Sequence, residues 1–202
     1  MIFIHYGSEH FDRTRFCEVK NGDGLLWLQK PTGGLWGSPV DSDYGWARWC
    51  DDNEFSLSNR WVYGRIGEDA TDIDAFKWND KVPSFKFKLK DGAKIITLEK
   101  LDDFIKLKDD GFRATINSLD SLPEEYREMA EGEIDESFDY NKLRSGFPVV
   151  PMRARMTPDF EKIRDAGYSA ILFTHTALTS QLIRTWDCDC VLVLDGDSVE
   201  EA

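Results

Sequence analysis

The sequence lacks several features by which broad classes of protein are recognised. No apolar run approaches the roughly 18 residues that a membrane-spanning helix needs, and Met1–Tyr6 has neither the basic start nor the long apolar stretch of a secretory leader. Four cysteines are too few in 202 residues for a disulfide scaffold. We therefore expect a cytoplasmic protein with free thiols and no membrane partner.

Histidine and the common catalytic motifs are scarce as well. Only three histidines are present, and the Cys188-x-Cys190 pair has no second cysteine pair at zinc-ligand spacing, so no metal is expected. The sequence contains no phosphate-binding G-x-x-x-x-G-K-[ST] or G-x-G-x-x-G loop and no G-x-S-x-G nucleophile elbow. These absences argue against phosphate-loop enzymes, dinucleotide-binding Rossmann folds and serine hydrolases.

Positive charge is the third deficit. The 25 Lys and Arg residues are outnumbered by 38 Asp and Glu residues, which gives a formal net charge of −13. Such a field repels phosphate backbones, so non-specific nucleic-acid binding is not expected. The negative field favours encounter with a basic partner, although the requirement for solubility alone also explains the net charge.

The sequence does contain enough apolar material for one folded domain. Hydrophobic residues make up 41% of the chain and aromatic residues 13%. A chain of this length buries on folding about 70% of the surface that it exposes when unfolded, so it needs no disulfide or metal ion to be stable. We predict a single domain over residues 1–202, with an acidic helical or loop insertion around residues 109–150.

Residue patterns in the first half predict strands. Ile2–Tyr6 is a β-rich run before a Gly-Ser turn. Phe85–Leu89 alternates apolar residues with lysine, as a half-buried strand does. Beyond the turn at Asp91-Gly92, Lys94–Leu98 is predicted to pair with it as a hairpin. Two weaker segments are Leu25–Gln29, a candidate strand, and Leu57–Ile66, which suits either element.

The second half contains the clearest elements. Thr157 followed by Pro158 predicts a helix start, and Gly167 predicts its end. The other predicted elements are a helix over residues 101–107 and strands over Tyr168–Phe173 and Val191–Leu194. Strands and helices do not alternate regularly, so the predicted fold class is α+β.

Glycine and tryptophan crowd together between Pro31 and Cys50. Glycines let the backbone approach a ligand closely, and tryptophans stack on flat rings. The alternative is aromatic core packing around a loop. A helix in this stretch is predicted to be capped by Asp41 or Ser42. The residues concerned are Gly33, Gly34, Gly37, Trp36, Trp46 and Trp49.

Two further clusters carry polar groups. His5–Ser8 places a histidine, a glycine and a serine at the end of a strand; the plainer interpretation is a solvated strand end. Asp187 and Asp189 precede the last long strand, two positions apart. In an extended chain such residues share a face, and the plainer interpretation is an acidic edge that discourages strand pairing.

The order of these three features resembles the ADP-ribosyltransferases, in the diphtheria-toxin and poly(ADP-ribose) polymerase branch. The resemblance implies a split, mainly antiparallel sheet with flanking helices, and NAD as a substrate. It implies that His5 binds the adenine-side ribose of NAD and that the Gly7 backbone contacts the nicotinamide amide, with Tyr6 and Ser8 beside them.

The glycine- and tryptophan-rich stretch would supply the rest of the NAD site. The resemblance implies that the nicotinamide lies between Trp36 and Trp46 and that Ser42 bonds its amide. The other implied NAD-binding residues are Gly34, Leu35 and Ser38, with Tyr44 and Trp49 as neighbours.

The sequence departs from the family pattern in two places. Tyr6 separates His5 from Gly7, and the position of the family's catalytic glutamate falls on Cys190. The resemblance therefore implies that Asp189 or Asp187 takes the role of that glutamate.

The activity implied is mono-ADP-ribosyltransfer from NAD to a macromolecule, for which a protein is the expected acceptor. Small enzymes of this kind act in phage and bacterial conflict, as effectors or as inhibitors of defence. Two alternatives stay open. One is an inactive relative that binds NAD, ADP-ribose or a basic partner; the other is a structural or interaction protein whose tryptophan-rich stretch is core.

Overall fold

The computed structural model describes residues 1–22, 30–53, 55, 82–114, 138–145, 149–150 and 154–202. The segments Leu25–Gln29 and Leu57–Ile66 lie outside the described residues. Much of the insertion predicted around residues 109–150 lies outside them as well.

An open seven-stranded sheet forms the centre of the described fold. Its strands are β1 (Phe3–Tyr6), β2 (Leu35–Pro39), β3 (Ser84–Leu89), β4 (Ile95–Leu98), β5 (Ala170–Phe173), β6 (Cys190–Val193) and β7 (Val199–Glu201). The strand order is β4-β5-β6-β2-β1-β3-β7. All neighbours pair antiparallel except β4 and β5, which are parallel.

The described residues also form four α-helices, and these pack on one face of the sheet. They are α1 (Trp46–Asp52), α2 (Leu101–Asp109), α3 (Phe160–Asp165) and α4 (Thr179–Leu182). All four helices contribute to one core cluster, which we call the helix-side core. In β6, Leu192 belongs to the helix-side core, whereas Val191 and Val193 belong to a second cluster on the other face. The mostly antiparallel sheet with helices confirms the α+β class.

Most of the strongly patterned elements are confirmed to within two residues. This holds for β1, β3, β5, β6 and α2. Gly167 follows α3 with a φ of 79°, as a helix-ending glycine should. The predicted start of α3 is too early, because Asp159 and not Thr157 caps the helix by accepting a hydrogen bond from the Lys162 amide.

The predicted hairpin between β3 and β4 is wrong. β3 pairs with β1 and β7, and β4 pairs with β5 near the opposite edge of the sheet. A turn signal predicts a reversal of the chain but does not choose the partner strand. Phe87 of β3 packs in the second cluster, and Leu98 of β4 is buried in the helix-side core. Each strand therefore lies where its apolar residues find partners.

The predicted cap of α1 is also wrong. The helix begins after Gly45, and the hydroxyl of Ser38 in β2 accepts a hydrogen bond from the Trp46 amide at 2.8 Å. A residue of the preceding strand, eight positions before the first residue of the helix, thus makes the contact that is predicted for Asp41 or Ser42. This contact ties α1 to the centre of the sheet.

The described end of the predicted insertion belongs to the core. Phe138, Tyr140 and Leu143 are buried in the helix-side core. Among the helices that the structure describes, none is both long enough and apolar enough to cross a membrane.

Candidate functional site

A cavity of about 520 Å³ opens where β1 and β2 stop pairing. The two strands pair at Phe3 with Pro39 and at Ile4 with Ser38, and the pairing does not continue to the ends of the strands. Ligand pockets usually measure about 300–1,000 Å³, so this cavity is large enough for a small-molecule ligand. Its described lining consists of Ile4, His5, Tyr6, Gly7, Lys30, Trp36, Gly37, Ser38, Trp46, Trp186, Asp187, Cys188 and Cys190.

His5 stands at the point where the strands separate. Its Nδ1 lies 2.7 Å from the carbonyl oxygen of Trp36. A carbonyl only accepts, so Nδ1 carries the hydrogen, and the neutral ring has its lone pair on Nε2. Burial lowers the pKa of His5, and the hydrogen bond to Trp36 opposes this in part. At neutral pH the ring is therefore uncharged and Nε2 is a hydrogen-bond acceptor.

Gly7 lies next to the imidazole and leaves space there. Its φ is 122°, and a Cβ at this position would stand 3.8 Å from Nε2 of His5. The Gly7 amide donates to the carbonyl of Pro83 at 2.7 Å, so its carbonyl is the group left for the ligand contact that the resemblance implies. Ser8, which was assigned a place beside it, is not among the lining residues.

The described lining contains three tryptophans besides Tyr6, and each tryptophan is supported by another ring. Trp36 meets the buried Trp186 edge to face, with the ring centroids 4.9 Å apart. Trp46 stacks on Trp49 at 5.0 Å with an interplanar angle of 14°. Trp36 and Trp46 are half-buried. The two interpretations of this stretch are therefore compatible, because the same rings pack against the core and line a cavity.

Among the described residues, Asp187 is the one carboxylate that lines the cavity. Its side chain is 32% exposed, and its Oδ2 lies 3.4 Å from Nζ of Lys30. Both residues are on loops: Lys30 precedes β2 and Asp187 precedes β6. Loops at the ends of strands are common sites of ligand contact, because the strands hold them in place.

Asp189 is not among the lining residues, and both of its carboxylate oxygens are engaged elsewhere. Oδ2 accepts a hydrogen bond from the Ser42 hydroxyl at 2.6 Å, and Oδ1 accepts one from the His175 amide at 2.7 Å. The Asp189 amide donates to the Tyr44 carbonyl at 3.0 Å. This carboxylate therefore connects three loops and does not face the cavity.

Ser42 is held in the same network. Its hydroxyl accepts from the Tyr44 amide at 2.9 Å and donates to Asp189. Ser42 does not line the cavity, whereas Ser38 does. Ser38 in turn uses its hydroxyl to hold the first residue of α1. In this structure both serines stabilise the loop and helix that shape the cavity.

Gly34 and Leu35 were assigned to the NAD site and lie away from the cavity lining. Leu35 is buried in the cluster on the other face of the sheet. Gly34 has a φ of 72°, and a Cβ there would stand 2.6 Å from Leu192 Cδ1 and 2.8 Å from Val19 Cγ2. Packing and backbone conformation therefore account for this glycine.

The lining also contains residues that the sequence did not assign to the NAD site, namely Ile4, Lys30, Gly37, Trp186, Cys188 and Cys190. Burial raises the pKa of the Cys188 thiol to about 12 and that of Cys190 well above its ordinary value. Both thiols are protonated at neutral pH and are poor nucleophiles. Adjacency to Asp187 was the available signal for Trp186 and Cys188, and adjacency to Pro31 was the signal for Lys30. No local pattern indicated the contact between Lys30 and Asp187, which spans 157 positions.

Among the described residues, no group of His, Cys, Asp or Glu side chains is arranged to hold a metal ion. The three comparisons with known proteins were made by family model, by curated sequence and by solved structure. None found a match to this chain. The resemblance to ADP-ribosyltransferases therefore depends on the motifs alone, and the site must be judged by its own geometry.

Proposed function

We propose that the cavity binds NAD and that the chain is a mono-ADP-ribosyltransferase acting on a macromolecular acceptor, most naturally a protein. One observation carries the proposal. Segments from the beginning, the first quarter and the end of the chain bring His5, Trp36, Trp46 and Asp187 to a single cavity. Each residue type suits a different part of NAD.

The aromatic lining suits the nicotinamide ring. Trp36 and Trp46 offer large, rigid surfaces, and their supporting rings limit the loss of side-chain entropy on binding. The neutral His5 ring suits a ribose hydroxyl, because Nε2 accepts the hydrogen that such a hydroxyl donates. The Gly7 carbonyl suits the amide NH₂ of nicotinamide for the same reason.

Asp187 suits the reacting bond. Cleavage of the bond between nicotinamide and ribose develops positive charge on the sugar, and a carboxylate nearby stabilises that charge in the transition state. The nicotinamide leaves with the bonding electron pair as a neutral molecule. A nucleophile of the acceptor forms the new bond to the ribose carbon and loses its proton to solvent. One preorganised group of this kind typically contributes about 10²–10³ in rate.

The proposal is tested by the release of nicotinamide. Purified protein is incubated with NAD labelled in its adenylate half, with and without a cell lysate, and both free nicotinamide and labelled macromolecules are measured. We expect release and transfer by the natural sequence. Asp187→Asn should lower the rate by about 10²–10³ while NAD still binds.

The matched control is Asp91→Asn, which removes the same charge from an exposed turn that does not line this cavity. It should react like the natural sequence. Equal activity in Asp187→Asn and Asp91→Asn would remove Asp187 from the mechanism. Absence of both NAD binding and nicotinamide release at millimolar NAD would overturn the proposed function.

A second candidate is an NAD- or ADP-ribose-binding module without turnover. Two observations favour it: Cys190 stands at the position of the family's glutamate, and Asp187, the carboxylate proposed in its place, is paired with Lys30. Such a module would be stabilised against heat by NAD without releasing nicotinamide, since a ligand that binds only the folded state raises the apparent stability.

A further inference from the structure

The described lining of the cavity contains one lysine or arginine, Lys30. Its Nζ lies 3.4 Å from Asp187 Oδ2, and the two side chains are 43% and 32% exposed. Within the described residues, this contact is the one hydrogen bond that either side chain makes. Each end of the pair is thus free to exchange its partner.

The pair is weak by its geometry and its exposure. Exposed lysine–carboxylate pairs contribute little to stability, because water screens the attraction and holding both side chains costs entropy. A lysine on a four-carbon stem also reaches alternative acceptors easily. Asp189, two residues away, shows the contrast: both of its oxygens are held by short hydrogen bonds to Ser42 and His175.

A diphosphate is the group that would compete best for Lys30. It carries two negative charges against the single charge of Asp187. In the described lining an anionic substrate meets no lysine or arginine other than Lys30. We propose that Lys30 binds the diphosphate of the substrate and, in doing so, releases Asp187 to face the reacting ribose. This inference rests on the proposed function, of which it names the phosphate-binding residue and a substrate-driven exchange of ion pairs.

The alternative is that Lys30 only positions Asp187. Substitution then lowers kcat and leaves the binding of all ligands unchanged. If Lys30 binds the diphosphate, its substitution weakens the binding of every ligand that contains a diphosphate. The binding of a ligand without phosphate is then unaffected. Binding therefore separates the two roles independently of catalysis.

The experiment measures the binding of NAD, ADP-ribose and nicotinamide riboside by calorimetry to the full chain. Lys30→Gln should weaken the binding of NAD and of ADP-ribose about 10- to 100-fold, as expected for loss of one hydrogen bond to a charged group. Nicotinamide riboside, which has no phosphate, should bind unchanged. Lys30→Arg should retain most of the affinity, since it keeps the charge.

Lys88→Gln is the matched control, because Lys88 forms a comparable exposed pair with Glu200 on β3 and β7, away from the cavity. It should bind all three ligands like the natural sequence. Both glutamine variants should unfold at nearly the natural temperature, which excludes misfolding. The affinity for NAD should also fall with salt less steeply in Lys30→Gln than in the natural sequence.

Three results would overturn the inference, and they distinguish its failure from that of the proposed function. If the natural sequence binds NAD and ADP-ribose and Lys30→Gln binds them equally well, the role of Lys30 is wrong and the proposed function stands. The same conclusion follows if Lys30→Gln weakens the binding of nicotinamide riboside as much as that of NAD. If the natural sequence binds neither NAD nor ADP-ribose, the proposed function fails and this inference fails with it.

Discussion

At the scale of single residues, the loop before β6 contains two aspartates that differ in their surroundings. Asp187 faces the cavity with one long contact to Lys30. Asp189 accepts hydrogen bonds from a hydroxyl and from a backbone amide of two other loops. The loop is not part of β6, which begins at Cys190, so the alternation of an extended strand does not place the two side chains together.

This difference predicts opposite effects of two alanine substitutions. Asp189→Ala should lower the free energy of unfolding by about 1–3 kcal/mol, because it leaves two donors without their acceptor. Asp187→Ala should change it by less than about 0.5 kcal/mol, as expected for a half-buried residue whose one ion pair is weak. Urea denaturation measures both values. Equal stability of the two variants would show that the Asp189 network does not hold the loops.

At the scale of elements, the cavity exists because β1 and β2 separate and because α1 is fixed beside the gap. Ser38 holds the start of α1, and His5 bonds the Trp36 carbonyl where pairing of the two strands has ended. The turn into β2 is fixed by Gly34, whose backbone passes close to Leu192 and to the Val193 carbonyl. A small residue with positive φ is required there.

Two glycine variants test the role of this turn. Gly34→Ala combines a strained φ of 72° with approaches of 2.6 Å and 2.9 Å to Leu192 Cδ1 and the Val193 carbonyl. This substitution should lower the free energy of unfolding by about 2–5 kcal/mol, because backbone strain and overpacking add. Gly92 has a similar φ of 86°, and a new Cβ there would meet open space. Gly92→Ala should therefore lower the free energy of unfolding by about 1 kcal/mol, from backbone strain alone. Chemical denaturation measures the free energy of unfolding of both variants. Equal losses of stability would show that packing does not constrain Gly34.

At the scale of the whole molecule, His5 links the stability of the fold to pH. Burial lowers the pKa of His5 in the folded state below its ordinary value of 6.5. Between these two pKa values the unfolded chain binds more protons, so the stability falls as the pH drops below about 6.5. Once the pH is below the folded pKa, this contribution causes no further loss.

The variant His5→Asn isolates this contribution. Its side-chain amide can donate to the Trp36 carbonyl in place of Nδ1, and it does not titrate. The decrease in melting temperature between pH 7.5 and pH 5.5 should therefore be smaller in His5→Asn than in the natural sequence. The carboxylates contribute equally to both proteins and cancel in the comparison. An identical pH dependence would show that His5 is not the titrating group.

The sequence by itself determined the elements whose signals are local. Apolar alternation predicted β3, and the glycine at 167 predicted the end of α3, because these signals depend on neighbouring residues and backbone sterics. The crowding of glycine and tryptophan between Pro31 and Cys50 also pointed to the correct stretch for two lining tryptophans. Each of these patterns is complete within about ten residues.

Only the tertiary structure decided which residues share the cavity. Asp187 and Asp189 are equivalent in the sequence, and their separation follows from hydrogen bonds to loops more than ten residues away. The same holds for the pairing of β3 and β4 and for the contact between Lys30 and Asp187. Strand partners and ion pairs are chosen by the packing of the whole chain, and local residue patterns do not contain that information.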